Sequence, residues 1–128
     1  MPALTACVTI AVDLDASRRS RALELGADHA VAPDQASEVV ARLTGGDGAA
    51  VVLDLVGSVP TTSLATQIVM RGGEINVIGV GQGSVEVGYG TIPTDVSVRF
   101  PYSGTRPGSA RRPGAGPLGP DLGGRPDL

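Results

Sequence analysis

The chain has 128 residues, enough for one domain, and its net charge of −3, with no Lys among the basic residues, argues against a nucleic-acid-binding surface. A single cysteine, Cys7, excludes an internal disulfide and a multi-cysteine zinc site. Neither a signal-peptide pattern nor an apolar run of the roughly 20 residues that span a bilayer is found, so we expect a cytoplasmic protein that is not bound to a membrane.

The N-terminal part predicts a strand followed by a helix. Residues 7–13 are an apolar, β-branched run, typical of a buried strand in a parallel sheet, and Cys7 is expected to be buried with it. Asp15 can cap a helix that extends to about Leu25. Gly26 follows, where a residue of left-handed conformation commonly ends a helix.

A second strand and helix come next. Residues 29–32 predict a short strand, and Asp34 is expected to cap the helix after it. The apolar residues of this helix recur at the spacing of a single buried stripe. They are Ala36, Val39, Val40 and Leu43.

The remaining pattern continues the alternation. Residues 49–56 predict the third strand, 61–70 a helix, 74–80 the fourth strand and 96–100 the fifth. Strands that alternate with helices indicate an α/β fold with a parallel sheet and right-handed crossovers.

Two side chains at the end of the first strand are candidate cofactor ligands. In doubly wound folds ligands bind beyond the carboxyl ends of the strands, where the carboxylate of Asp13 can accept both hydroxyls of an adenosine ribose and repel a 2′-phosphate. This geometry favours NAD over NADP. The alternative is that Asp13 only caps the next helix. Arg18, one turn into that helix, either contacts the same ribose or is a solvated surface residue.

Two glycine-containing turns follow later strands. Gly79 and Gly81 resemble a phosphate-binding fingerprint, but Ser84 stands at its third position and the glycines and proline that follow deny a helix. We therefore predict a strand end and a mobile loop, whose backbone amides could line a cofactor crevice. Asp54 precedes the other turn, at the same edge, and has no visible partner for acid–base work.

The C-terminal segment differs in composition. Residues 107–128 contain Gly or Pro at 11 of 22 positions and offer few large apolar groups, which predicts a disordered tail. The sequence thus divides into a folded part, 1–106, and this tail.

The order of motifs over residues 3–106 resembles the zinc-type medium-chain alcohol dehydrogenases. The resemblance rests on the stretches IAVD…LGAD, LTGGDGAAVVLDLVG, GGEINVIGVG and PYSGTR. It implies a Rossmann domain that binds NAD in enzymes oxidising alcohols with zinc. The cofactor-binding residues that it implies are Asp13, Arg18, Val56, Gly57, Ile78, Gly79, Val80, Tyr102 and Ser103.

The sequence also departs from this family. The first Rossmann strand with its GxGxxG turn, and the catalytic domain with its zinc ligands, are not in it, so we expect a truncated domain without catalytic or metal-binding residues and a frame-shifted tail. The sheet order of the fold places the absent strand between 7–13 and 49–56. Those strands would then expose two inner edges, or close up and pair with each other. Marginal stability and weak NAD binding follow.

The function expected from these features is that of the NAD-binding part of a zinc-dependent alcohol dehydrogenase, inactive by itself. The rival enzyme hypothesis is part of an NADPH-dependent quinone or enoyl reductase. Two hypotheses without enzyme activity also stand. One is a small α/β interaction module that pairs through its strand edges, as in a homo-oligomer, and the second is a non-functional truncated product.

Overall fold

The computed structural model describes residues 7–101, and within them the helices and strands follow the predicted order. The elements are β1 (Ile10–Val12), α1 (Ala16–Glu24), β2 (His29–Val31), α2 (Pro33–Leu43), β3 (Ala49–Asp54), α3 (Val59–Ile68), β4 (Val69–Val77) and β5 (Ser97–Arg99). The predicted tail, 107–128, and the predicted site residues Tyr102 and Ser103 lie outside the described residues. The α/β class is confirmed.

The strands form two separate parallel sheets. One pairs β1 with β2, with Ile10 opposite His29. The other has the order β3-β4-β5, with Ile75 of β4 between Val52 and Val98. In the described part of the chain β1 and β3 are not hydrogen-bonded to each other. Each sheet therefore has an inner edge, at β1 and at β3, and the predicted alternative in which these two strands pair directly is not observed.

Local side-chain chemistry explains where α1 and α2 begin. The Oδ1 of Asp15 accepts hydrogen bonds from Ser17 N at 2.9 Å and Ser17 Oγ at 3.0 Å, so the predicted cap of α1 is confirmed. The predicted cap of α2 is wrong. Its N-cap is Ala32, and Asp34 lies in the first turn because Pro33, which has no N–H to satisfy, takes the first helical position.

The boundary between α3 and β4 differs from the prediction. The helix ends at Ile68 and the strand begins at once with Val69, where the sequence pattern predicts helix to 70 and strand from 74. A register shift makes this possible: Val69 pairs with Ala49, but Glu74 pairs with Val51. The extra residues of β4 form a bulge, in which Gly72 takes a φ of +77°.

The main apolar cluster lies between α3 and the three-stranded sheet. Its buried members are Ala65, Val69, Ile75 and Val77. The predicted stripe of α2 is buried at Ala36, Val39 and Val40, whereas Leu43 is 39% exposed at the last position of the helix.

The opposite face of β3 is open. Val51 and Leu53 are 56% and 60% exposed, because α3 packs against the other face of β3, where Val52 lies. Cys7, expected to be buried, is exposed because regular strand structure begins only at Ile10. Within residues 7–101 no helix is long and apolar enough to cross a membrane.

Candidate functional site

The candidate site consists of three turns, each at the carboxyl end of a strand. Asp13 follows β1, Val56 and Gly57 follow β3, and residues 78–80 follow β4. Because β3 and β4 are parallel and paired up to Asp54 and Val77, their turns lie side by side. The structure therefore brings Val56 and Gly57 together with Ile78, Gly79 and Val80, as the sequence predicted for one edge of the sheet.

The carboxylate of Asp13 is held by its own turn. Its Oδ1 accepts a hydrogen bond from Asp15 N at 2.9 Å, and no hydrogen bond to Oδ2 is found among the described residues. The Asp13 side chain is 34% exposed. Since Asp15 is the cap of α1, capping does not account for Asp13, and Oδ2 is available to a hydroxyl donor.

Two arginines contact Asp13, one at its carboxylate and one at its main-chain carbonyl oxygen. Arg18 NH1 is 3.7 Å from Asp13 Oδ1 and its Nε is 3.8 Å from Asp15 Oδ2, while its side chain is 72% exposed. Arg18 is thus both near the predicted ribose ligand and largely solvated. Sequence reasoning missed Arg19, whose NH1 donates to the carbonyl oxygen of Asp13 at 2.7 Å and fixes the turn from the other side.

Asp15 is the residue of this turn whose pKa is shifted from its usual value. The Ser17 backbone N–H, and then the Ser17 hydroxyl, donate to its carboxylate and lower the pKa of Asp15, and the positive charge of Arg18 lowers it further. Two carboxylates, those of Asp13 and Asp15, and two guanidinium groups, those of Arg18 and Arg19, therefore meet at the start of α1, and their formal charges cancel.

Asp54, at the end of β3, is the most connected residue of the site. It is 6% exposed, and its Oδ1 accepts from Val56 N at 3.0 Å and Gly57 N at 2.8 Å. Its carbonyl oxygen accepts from Ile78 N at 2.8 Å and Gly79 N at 3.1 Å. Its Oδ2 is buried without a hydrogen-bond partner in the described part of the chain.

Four glycines pack the two neighbouring turns against each other without side chains between them. A Cβ on Gly57 would lie 2.4 Å from Gly79 O, and one on Gly79 would lie 2.2 Å from the carbonyl carbon of Val56. Gly81 and Gly83 make equally close approaches to Gly57 and to Ser58. We call these residues, Gly57, Gly79, Gly81 and Gly83, the glycine interlock.

The glycine interlock explains the glycine-rich motif after β4. Gly83 N donates to Gly57 O at 2.8 Å, so the loop is fastened to the β3–α3 turn. The strand end and the loop agree with the sequence prediction, but the loop that was predicted to be mobile is held by backbone contacts with the β3–α3 turn. A signal was available: two glycine-containing turns follow strands that a parallel sheet places next to each other.

Metal ligands are not grouped in the described part of the molecule. Among residues 7–101 no group of three or more His, Cys, Asp or Glu side chains could hold a metal ion. The residues described there do not fit a zinc centre.

The chain is similar to several dehydrogenases. The family described as zinc-binding dehydrogenase matches residues 3–106. Geraniol dehydrogenase of Castellaniella defragrans is 36% identical over 74 residues, which cover 56% of this chain and 20% of that enzyme.

Solved structures give the same picture. D-arabinose dehydrogenase from Sulfolobus solfataricus superimposes with a TM-score of 0.67 at 28% identity, over 76% of this chain and 31% of that one. Alcohol dehydrogenase from Aeropyrum pernix has a TM-score of 0.65 at 27% identity, over 76% and 28%. The chain thus spans a third or less of the length of these relatives.

Proposed function

The chain belongs to the zinc-binding dehydrogenase family, and from this membership we propose that residues 1–106 are the NAD-binding part of a zinc-dependent alcohol dehydrogenase. The family resemblance predicted from the sequence motifs is confirmed. The whole enzyme would oxidise an alcohol, and a nicotinamide cofactor, when bound, would supply the hydride acceptor. By itself, this chain is expected to bind the cofactor weakly and to be inactive.

The observation that carries the proposal is the position of Asp13. A partly exposed carboxylate stands at the carboxyl end of a parallel strand, with one oxygen held by Asp15 N and the other without a described partner. Such an oxygen can accept hydrogen bonds from ribose hydroxyls, whereas a 2′-phosphate would meet its negative charge. This is the reason to propose NAD and not NADP.

The other turns have supporting roles in this proposal. Arg18 would lie along the ribose that Asp13 binds, and the β3–α3 turn at Val56 and Gly57 would border the adenosine. The strand end at Ile78, Gly79 and Val80 would face the nicotinamide. Tyr102 and Ser103, outside the described residues, are proposed to hold the carboxamide through their backbone.

Cofactor titration of the purified chain tests the proposal. NADH fluorescence is the signal, and NADH is expected to bind more tightly than NADPH. Asp13→Asn removes the charge but keeps the shape, so the NADH affinity should fall about tenfold, as expected for one charge-assisted hydrogen bond. The preference over NADPH should shrink with it. Asp28→Asn is the matched control: Asp28 also binds a backbone N–H, that of Thr9, but at the opposite end of the same sheet.

Two results would overturn this assignment. Equal or tighter binding of NADPH would favour the NADPH-dependent quinone or enoyl reductases. An Asp13→Asn chain that binds NADH as the unsubstituted chain does would show that the carboxylate does not contact the ribose. If Asp28→Asn weakens binding as much as Asp13→Asn, the effect is general destabilisation and not ribose recognition.

A second function, assembly with another copy of the chain, is favoured by one observation. The inner edges of β1 and β3 are not paired with each other, and Val51 and Leu53 beside the second edge are exposed. Unpaired edges with apolar neighbours promote strand pairing between chains. Light scattering behind size-exclusion chromatography distinguishes the two functions: a discrete dimer that binds no NADH supports assembly, and a monomer that binds NADH refutes it.

A further inference from the structure

We propose that Asp54 is a positioning residue that holds the β3–α3 turn and the turn after β4 as one rigid unit. Its effect on cofactor affinity rests on the function proposed above. Its effect on the two turns does not depend on that function and can be measured without a cofactor.

The first argument is the number of backbone groups that this one residue orders. The side-chain oxygen Oδ1 takes the N–H groups of Val56 and Gly57, and the main-chain oxygen takes those of Ile78 and Gly79. All four donors belong to the turns proposed to border the cofactor. A single buried residue therefore sets the position of both turns relative to the strand ends.

The second argument is a relay of hydrogen bonds across the glycine interlock. Asp54 Oδ1 binds Gly57 N, and Gly57 O in turn binds Gly83 N at 2.8 Å. The close approach of Gly57 to Gly79 places the two turns in direct backbone contact. Loss of the carboxylate should therefore reduce the exchange protection of the Gly83 amide, although Asp54 does not bind Gly83 directly.

The third argument is that only one of the two carboxylate oxygens of Asp54 accepts hydrogen bonds from described residues. Oδ1 has two donors, but Oδ2 is buried without a partner in the described part of the chain. The arrangement requires a hydrogen-bond acceptor at Oδ1, whereas no described contact requires one at Oδ2. An amide of the same shape keeps the acceptor oxygen. Asn at position 54 should therefore preserve the hydrogen bonds to Val56 N and Gly57 N, whereas Ala should lose them.

Hydrogen exchange by NMR on the full chain is the direct test, with Asp54→Asn, Asp54→Ala and the control Asp28→Ala. In Asp54→Ala, the amides of Gly57 and Gly83 should exchange at least about tenfold faster, as expected when a buried hydrogen bond is lost. The amide of Thr44, bonded to Val40 O at the end of α2, should keep its protection. Asp54→Asn and Asp28→Ala should leave Gly57 and Gly83 protected.

NADH titration of the same variants gives the functional readout. Asp54→Ala should weaken NADH binding about tenfold, and Asp54→Asn should restore it to within about threefold of the unsubstituted chain. Unchanged protection of Gly83 in Asp54→Ala would refute the relay. A loss in Asp54→Asn as large as in Asp54→Ala would refute the role of the Oδ1 acceptor.

Two further results keep the inference testable. If the unsubstituted chain binds no NADH, the proposed function fails, while the exchange rates of Gly57 and Gly83 still decide the positioning role. If Asp54→Ala does not fold, Gly83→Ala breaks the relay at its other end, because its Cβ would lie 2.4 Å from Ser58 O. Gly57 should then stay protected by Asp54 while the amide at position 83 loses protection, and loss at both places would contradict the proposed direction of the relay.

Discussion

Substitution of Gly57 by Ala should destabilise the chain much more than the same substitution at Gly45. The two glycines have nearly the same backbone conformation, with φ of +71° and +65°. A Cβ on Gly45 would meet nothing within 4 Å, whereas one on Gly57 would lie 2.4 Å from Gly79 O and 2.8 Å from Gly79 C. The pair therefore separates the cost of conformation from the cost of backbone contact.

The magnitudes follow from this geometry. An L-residue in the left-handed region costs about 1–2 kcal/mol, and this penalty applies at both positions. At Gly57 the contact with Gly79 O is about 1 Å shorter than the 3.4 Å at which ordinary contact begins, and both opposing atoms belong to the backbone. Forcing additional atoms into such a packed place costs roughly a further 1–3 kcal/mol. Gly57→Ala should thus lose about 2–5 kcal/mol, against about 1–2 kcal/mol for Gly45→Ala.

Urea unfolding followed by far-UV circular dichroism measures both losses, since the chain has no Trp to report by fluorescence. The unsubstituted chain is expected to be marginally stable, so all three proteins should be compared with and without an excluded osmolyte such as sucrose. Gly79→Ala provides a third variant, because its φ is not in the left-handed region and its cost comes from contact alone.

Equal losses for Gly57→Ala and Gly45→Ala would refute the reasoning, because they would mean that the two turns are not in backbone contact in solution. A mild effect of Gly79→Ala would lead to the same conclusion. Either result would also remove the structural basis for the coupling assigned to Asp54.

Three other predictions concern capping, pH and the core. Ser58→Ala should cost about 1 kcal/mol in urea unfolding, since it removes one partner of the capping box with Thr61; no loss would contradict the cap. The lowered pKa of Asp15 means that its contribution to stability is present above its unfolded-state pKa and is lost as pH falls through the folded value. NMR titration should show the pKa of Asp15 rising in Ser17→Ala, which loses the hydroxyl bond but keeps the backbone bond, and an unchanged pKa would exclude the hydroxyl as a cause. Ile75→Val should cost roughly 1 kcal/mol because Ile75 is fully buried, and a neutral effect would place it outside the core.

Local patterns were sufficient to predict the order of the elements. The cap at Asp15 and the end of α1 before Gly26 involve residues within a few positions of each other, so the sequence contains their cause directly. The burial of Ala36, Val39 and Val40 follows from their spacing on one helix face. The same patterns placed Asp13 at the carboxyl end of a strand, where the fold class puts ligands.

Contacts between distant residues were beyond those patterns. The start of β4 at Val69 depends on pairing with Ala49 across a bulge, and the helical spacing of the preceding residues continued past it. The capping role predicted for Asp34 was lost to Pro33 one position earlier, a competition that the residue types allow but do not decide. The start of β4 is therefore set by tertiary pairing, whereas the start of α2 is set by a local competition between neighbouring residues.

The sequence by itself determined the family, the parallel α/β pattern and the carboxylate at Asp13, because each depends on the chemistry of neighbouring residues in the chain. Only the tertiary structure decided that the strands of residues 7–101 form two sheets in which β1 and β3 are not paired with each other, and that Gly57 and Gly79 touch backbone to backbone. It also showed that Asp54, a residue without a visible partner in the sequence, accepts hydrogen bonds from both turns. The reason is that a glycine or a carboxylate has the same local signature whether it meets solvent or another backbone, and only the packing of β3 against β4 distinguishes the two.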